Sequence, residues 1–125
     1  MRPEDKIVIQ ISQYLNYQYP QIIYHFDVGS GGVKSIGMAM RDKRINTWRG
    51  YPDLFLPEPR GCYHGLFAEI KKDGTKIING KGNFTTPHIE EQNKFLESLR
   101  IKGYWARFSI GFEETKKMID EYLKL

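Results

Sequence analysis

Cysteine is nearly absent. Cys62 stands alone among 125 residues, so no disulfide can close within the chain, as suits a reducing compartment. No apolar run approaches the roughly 20 residues that a membrane-spanning helix needs. The charged start Met1-Arg2-Pro3-Glu4-Asp5-Lys6 is not followed by the apolar stretch of a secretory signal. A soluble protein with no membrane partner is therefore expected. Internal repeats and low-complexity tracts are missing as well, which argues against a solenoid or a disordered linker. Zinc is poorly served. His25, His64 and His88 are scattered, and Cys62-Tyr63-His64 has no second ligand pair to complete a tetrahedral site.

What is present suffices for one domain spanning 1–125. Hydrophobic residues make up 40% of the chain, enough for a single packed core. The net charge of +4 and a pI near 9.1 are compatible with a polyanionic partner. The distribution says more than the total. Arg41, Lys43, Arg44 and Arg49 precede a Pro52-Asp53 pair, and Lys71, Lys72, Lys76 and Lys81 follow Glu69. Any one of these cations is most simply a solvated surface charge. A cationic rim around an acidic centre is a rarer pattern that suits phosphate binding and should weaken with salt. Lys34, Arg49, Lys72, Lys76, Lys81 and His88 are the candidate contacts to such a polyanion.

The periodicity gives a mixed order, αβ(α)ββαβα. Residues 4–17 read as a helix, with Ile7, Ile11, Tyr14 and Leu15 at helical spacing. Ile22 to Phe26 reads as a first strand. Gly29-Ser30-Gly31-Gly32 must be a loop, either a hinge or a backbone cradle for phosphate, and Ser35 to Lys43 a short helix. Asp53 to Leu56 and Leu66 to Lys71 read as strands paired in an antiparallel hairpin across the Pro57–Gly61 turn. Thr86-Pro87 caps and opens a helix that runs to about Lys102 and stops at Gly103. Tyr104 to Ser109 is a strand. Phe112 to Leu123 is a last helix whose stripe of Phe112, Thr115, Ile119, Tyr122 and Leu123 reads as core. Trp48 and Trp105 are expected to be packing residues.

Chemistry concentrates in the hairpin. Alternation along Leu66–Lys71 puts Phe67, Glu69 and Lys71 on one face, with the two charges about 6–7 Å apart. Asp53, sixteen residues before Glu69, can reach the same face. A surface Glu–Lys pair alone would contribute only about 0–1 kcal/mol and mean little. Two carboxylates about 4 Å apart, however, repel by about 4 kcal/mol at an effective dielectric near 20, a cost that a bound cation removes. Oxygen ligands from Asp53, Glu69 and a backbone carbonyl, that of Ile70, suit Mg²⁺ or Mn²⁺. Lys71 would then act as a point charge on the phosphate or orient the attacking water. Gln92 shares a helix face with His88, Phe95, Leu96 and Leu99. It would either bond a strand carbonyl or serve the same site.

Gly50-Tyr51-Pro52-Asp53-Leu54-Phe55, Tyr63-His64-Gly65-Leu66-Phe67-Ala68-Glu69-Ile70-Lys71, Glu91-Gln92 and Gly103-Tyr104 together resemble the VRR-NUC family of the PD-(D/E)XK nuclease superfamily. The likeness is nearest to its short stand-alone phage and bacterial members. It implies a restriction-endonuclease-like α/β fold, with metal ligands at Asp53 and Glu69, a catalytic lysine at Lys71, and assisting residues at Gln92 and Glu4. Val8 and Ser30 depart from the family's usual glutamine and asparagine. The resemblance further implies a homodimer acting on branched DNA, Holliday-junction resolution foremost, in the cytoplasm of a bacterial or phage-infected cell. A less selective nickase or exonuclease on flaps and ends, or a non-catalytic DNA-binding module of the same fold, are the alternatives.

Overall fold

The computed structural model describes residues 1–27, 35–46 and 48–125. The glycine loop and Lys34 lie outside the described residues. The element order is α1 (Pro3–Gln18), β1 (His25–Phe26), α2 (Ile36–Ile45), β2 (Leu54–Leu56), β3 (Leu66–Lys71), α3 (Pro87–Ile101), β4 (Trp105–Ile110) and α4 (Gly111–Leu123). This is the order expected from periodicity. The strands form one sheet in the order β1-β2-β3-β4. The first two pairings are antiparallel and the last is parallel. The parallel pair requires a crossover, which α3 supplies.

Helices cover both faces. Ile7, Ile11 and Leu15 of α1 and Met118, Ile119 and Tyr122 of α4 pack with Leu54, Leu66, Ala68 and Ile70. The stripe read from α4 is therefore core. On the opposite face Leu96 of α3 closes over Phe67 and Ala106. Sandwiched in this way, β3 is buried along almost its whole length, which is why its sequence is apolar except where charge has a task. α3 begins as its sequence dictates. The Thr86 hydroxyl accepts the Ile89 N–H at 3.1 Å, and Pro87 occupies the first turn. No helix among the described residues is long and apolar enough to cross a membrane.

Two expectations change. The first strand shrinks from Ile22–Phe26 to His25–Phe26, because the Ile22 N–H is taken by the Tyr19 carbonyl in the turn leaving α1. Trp105 does pack, stacked on Tyr122 at 5.3 Å, but Trp48 touches only one edge of the fold and stays 78% exposed. The preceding helix explains this, since α2 buries none of its residues and gives Trp48 no core to enter.

Gly65 marks the tightest approach in the hairpin. A Cβ there would lie 2.7 Å from the Leu56 carbonyl oxygen. Gly65→Ala should therefore cost about 1–3 kcal/mol, measured by urea unfolding, with the site residues downstream on β3 displaced along with the strand.

Candidate active site

The hairpin register places the acids. Leu54 stands opposite Ala68, so Asp53, one residue earlier, meets the next step of β3. There its Oδ2 accepts the Ile70 N–H at 2.8 Å. β1 adds a third carboxylate by the same logic. Phe26 is opposite Leu54, and the Asp27 N–H donates to the Asp53 carbonyl at 2.8 Å. Two residues past Phe67, Glu69 points to the α3 side of the sheet, as alternation requires.

Gln92 ties this side together. Its Nε2 donates to Glu69 Oε1 at 2.9 Å, and its Oε1 accepts from Lys71 Nζ at 2.7 Å. Lys71 Nζ stands 4.0 Å from Glu69 Oε1. The inward amide thus bonds both members of the charged pair. Gly50, at φ +79, brings the loop before Asp53 against this helix, where a Cβ would fall 3.5 Å from Gln92 Cα.

A cavity of about 320 Å³ opens over these groups. Asp53, Glu69, Lys71, Gln92 and Glu4 all line it, together with the Ile70 backbone and His88. Among the described residues, His88 is the expected DNA contact that reaches this cavity. Arg49 lines a neighbouring groove, and Lys72, Lys76 and Lys81 are exposed on the loop that follows β3. Sequence reasoning missed Asp27, Asp5 and Arg2, which also line the cavity. Asp5 and Arg2 lie one residue to either side of Pro3-Glu4, where α1 starts, and they pair with each other at 3.2 Å.

The electrostatics are lopsided. Five carboxylates, Glu4, Asp5, Asp27, Asp53 and Glu69, face two full cations, Arg2 and Lys71. Glu69 is only 4% exposed, and its Oε2 is buried with no hydrogen-bond partner. Burial and then the neighbouring Asp53 charge push its carboxyl up to about 9. Burial raises Asp53 too, opposed by the Ile70 N–H. Burial and Asp53 thus outweigh the opposing Lys71 charge, and without a metal ion Glu69 favours its protonated form at neutral pH.

Oxygen donors, a partnerless buried carboxylate oxygen and an excess of negative charge are what a hard divalent cation requires. Asp53, Glu69 and the Ile70 carbonyl are the residues that would hold it. Among the described residues no group of three His, Cys, Asp or Glu side chains is placed to chelate an ion unaided, so backbone, water and substrate oxygens would complete the shell, as is usual for Mg²⁺.

No family model matches the chain, and no curated protein does. A solved structure described as a "VRR_NUC domain protein" superposes with a TM-score of 0.72 at 28% sequence identity, over 100% of this chain and 91% of that one.

The buried acid sets a pH dependence. Folded Glu69 binds its proton more tightly than an unfolded glutamate with a value near 4.5, so the native state carries the extra proton between the two values and stability falls as pH rises from about 4.5 through about 9. Thermal unfolding in chelator should show that decline, and Mn²⁺ should flatten it by replacing the proton. Glu69→Gln keeps an acceptor for Gln92 and should raise the chelator Tm at pH 8 by a few degrees, on the order of 1 kcal/mol.

Proposed function

We propose that this chain, a VRR-NUC domain, is a Mg²⁺- or Mn²⁺-dependent endonuclease that hydrolyses phosphodiester bonds in branched DNA, resolving four-way junctions as a homodimer. A nuclease-type function with DNA as substrate follows from the domain. The finer assignment rests on one observation above all: Glu69, Gln92 and Lys71 form a hydrogen-bonded chain in one cavity with Asp53, which is anchored on the Ile70 N–H, and a buried Glu69 oxygen finds no donor.

Each residue has a task in this scheme. Asp53 is held by the Ile70 N–H, so its carboxylate is oriented before substrate arrives, which spares reorganisation during reaction. Glu69 is oriented by Gln92 in the same way. A divalent ion on these two would polarise the phosphate and ease ionisation of the attacking water. Lys71 presents an ammonium beside Glu69, placed to stabilise the charge that grows on the phosphoryl oxygens. Gln92 keeps that ammonium in place through its Oε1. Glu4, in the first turn of α1 on the cavity wall, would hold water on the side opposite α3.

The cavity offers carboxylates and a lysine, groups that act on phosphate and metal and do not read base edges, so recognition by shape is favoured over sequence. Two copies related by a two-fold axis would present equivalent sites to a substrate of the same symmetry. Exposed cations at Arg49, Lys72, Lys76 and Lys81 supply the sequence-independent attraction to phosphate, with exposed His88 as a polar contact at the cavity.

Labelled four-way junction, flap and linear duplex, each incubated with Mn²⁺ and with chelator, test the assignment. The junction should be nicked in paired positions with Mn²⁺ and remain intact in chelator, and light scattering should give a dimer. Asp53→Ala should bind the junction and not cut it. Lys71→Ala should slow cutting by about 10²–10³-fold, and Gln92→Ala by about 10–100-fold. Equal cutting in chelator would overturn metal dependence, and a wild-type protein that binds without cutting any substrate would leave only a DNA-binding module.

A further inference from the structure

Beside the acidic cavity lies a second concavity of different chemistry, about 680 Å³ in volume. Its floor is apolar, with Phe95 and Leu99 of α3 beneath the Trp48 indole. Its rim is basic, with Arg49, Lys94 and Lys102 set against a single acid, Glu91. Trp48 is 78% exposed and meets Phe95 edge-to-face at 6.2 Å.

The aromatic contacts do not stop there. Phe95 meets Tyr51 at 5.7 Å, and Tyr51 meets Phe67 at 5.8 Å. Phe67 lies on the same face of β3 as Glu69. A continuous aromatic ledge therefore runs from the strand that carries the acids out to an uncovered indole. α3 follows the same route, since Gln92 and Phe95 are three residues apart and so are neighbours on the helix surface.

An exposed aromatic face with cations around it is the combination that holds single-stranded nucleic acid. Every base has a face to stack, and the cations take the phosphates. Bases inside a duplex are already stacked and cannot reach such a ledge; bases freed at a branch point or flap can. We propose that the Trp48–Phe95 ledge is a subsite for an unpaired nucleotide of the DNA strand bound in the neighbouring acidic cavity, and that it confers preference for branched over linear DNA. The proposal rests on the nuclease assignment for its second half only. Charge complementarity decides for nucleic acid over a protein occupant, three rim cations to one acid being suited to a phosphate backbone.

The test begins without cleavage. Asp53→Ala protein in chelator is titrated with a short oligothymidylate while tryptophan emission is followed. Quenching is expected, and adding Trp48→Ala should remove it and weaken binding by about fivefold to a hundredfold. Trp48→Phe should keep most of the affinity. Because Trp48 is exposed, the alanine variant should unfold at the parental temperature. In otherwise wild-type protein with Mn²⁺, Trp48→Ala should lower the ratio of fork to linear-duplex cutting about tenfold.

Unchanged oligothymidylate binding in Trp48→Ala overturns the proposal. So does a shift from dimer to monomer in light scattering, which would assign the ledge to a second copy of the chain. The two claims fail separately. Trp48-dependent oligonucleotide binding by a wild-type protein that cuts nothing sinks the nuclease and keeps the subsite; branched-DNA cutting untouched by Trp48→Ala sinks the subsite and keeps the nuclease.

Discussion

A carboxylate buried on the central strand organises everything around it. Glu69 sits where the sheet is covered on both faces, at a position that would ordinarily hold valine or isoleucine. Keeping it there needs Gln92 as donor, Lys71 as a nearby cation and either a proton or a metal for the remaining oxygen. α3 must then be seated so that Gln92 arrives at the right height. Its N-cap, its Leu96 contact with Phe67 and the close pass of Gly50 all serve that seating. The interior is thus built in two unlike halves. Between α1, α4 and the sheet lies an apolar core that supplies stability, and on the α3 side the packing is aromatic and polar, holding the charged groups.

Much of this could be read from residue order because the signals are local. Alternation along Leu66–Lys71 put Glu69 and Lys71 on one face with no knowledge of the fold, and the three- and four-residue spacing around Leu96 turned Gln92 inward. The Thr86-Pro87 start of α3 was explicit. Asp53 required only the assumption of a hairpin. Asp27 escaped because its membership depends on a two-residue strand, too short to carry any periodicity, and on a register that becomes visible only once β1 is paired. Arg2 and Asp5 escaped for a related reason: nothing in a helix start says which part of a distant sheet it will overlook.

Trp48 illustrates the opposite failure. Large aromatics are usually buried, and nothing nearby in the chain marks this one as an exception. Its exposure follows from α2, whose apolar residues Ile36, Met38, Met40 and Ile45 are themselves uncovered. Burial is a property of what packs against a residue, and composition is silent on that. The charge pattern was similarly incomplete. The chain is basic overall, yet the cavity is acidic, and among the described residues only Arg2 and Lys71 of the lysines and arginines line it. This segregation has a physical purpose, since long-range attraction is set by net charge while a hard cation is held by the local excess of oxygen.

The glycine that lets the backbone skim Gln92 also shortens a path. From Trp48 to Asp53 the chain advances five residues, which even fully extended span no more than about 17 Å. Stacked nucleotides in one strand rise about 3.4 Å each, so under the proposed function the Trp48 ledge and the Asp53 carboxylate would serve positions no more than about five stacked nucleotides apart.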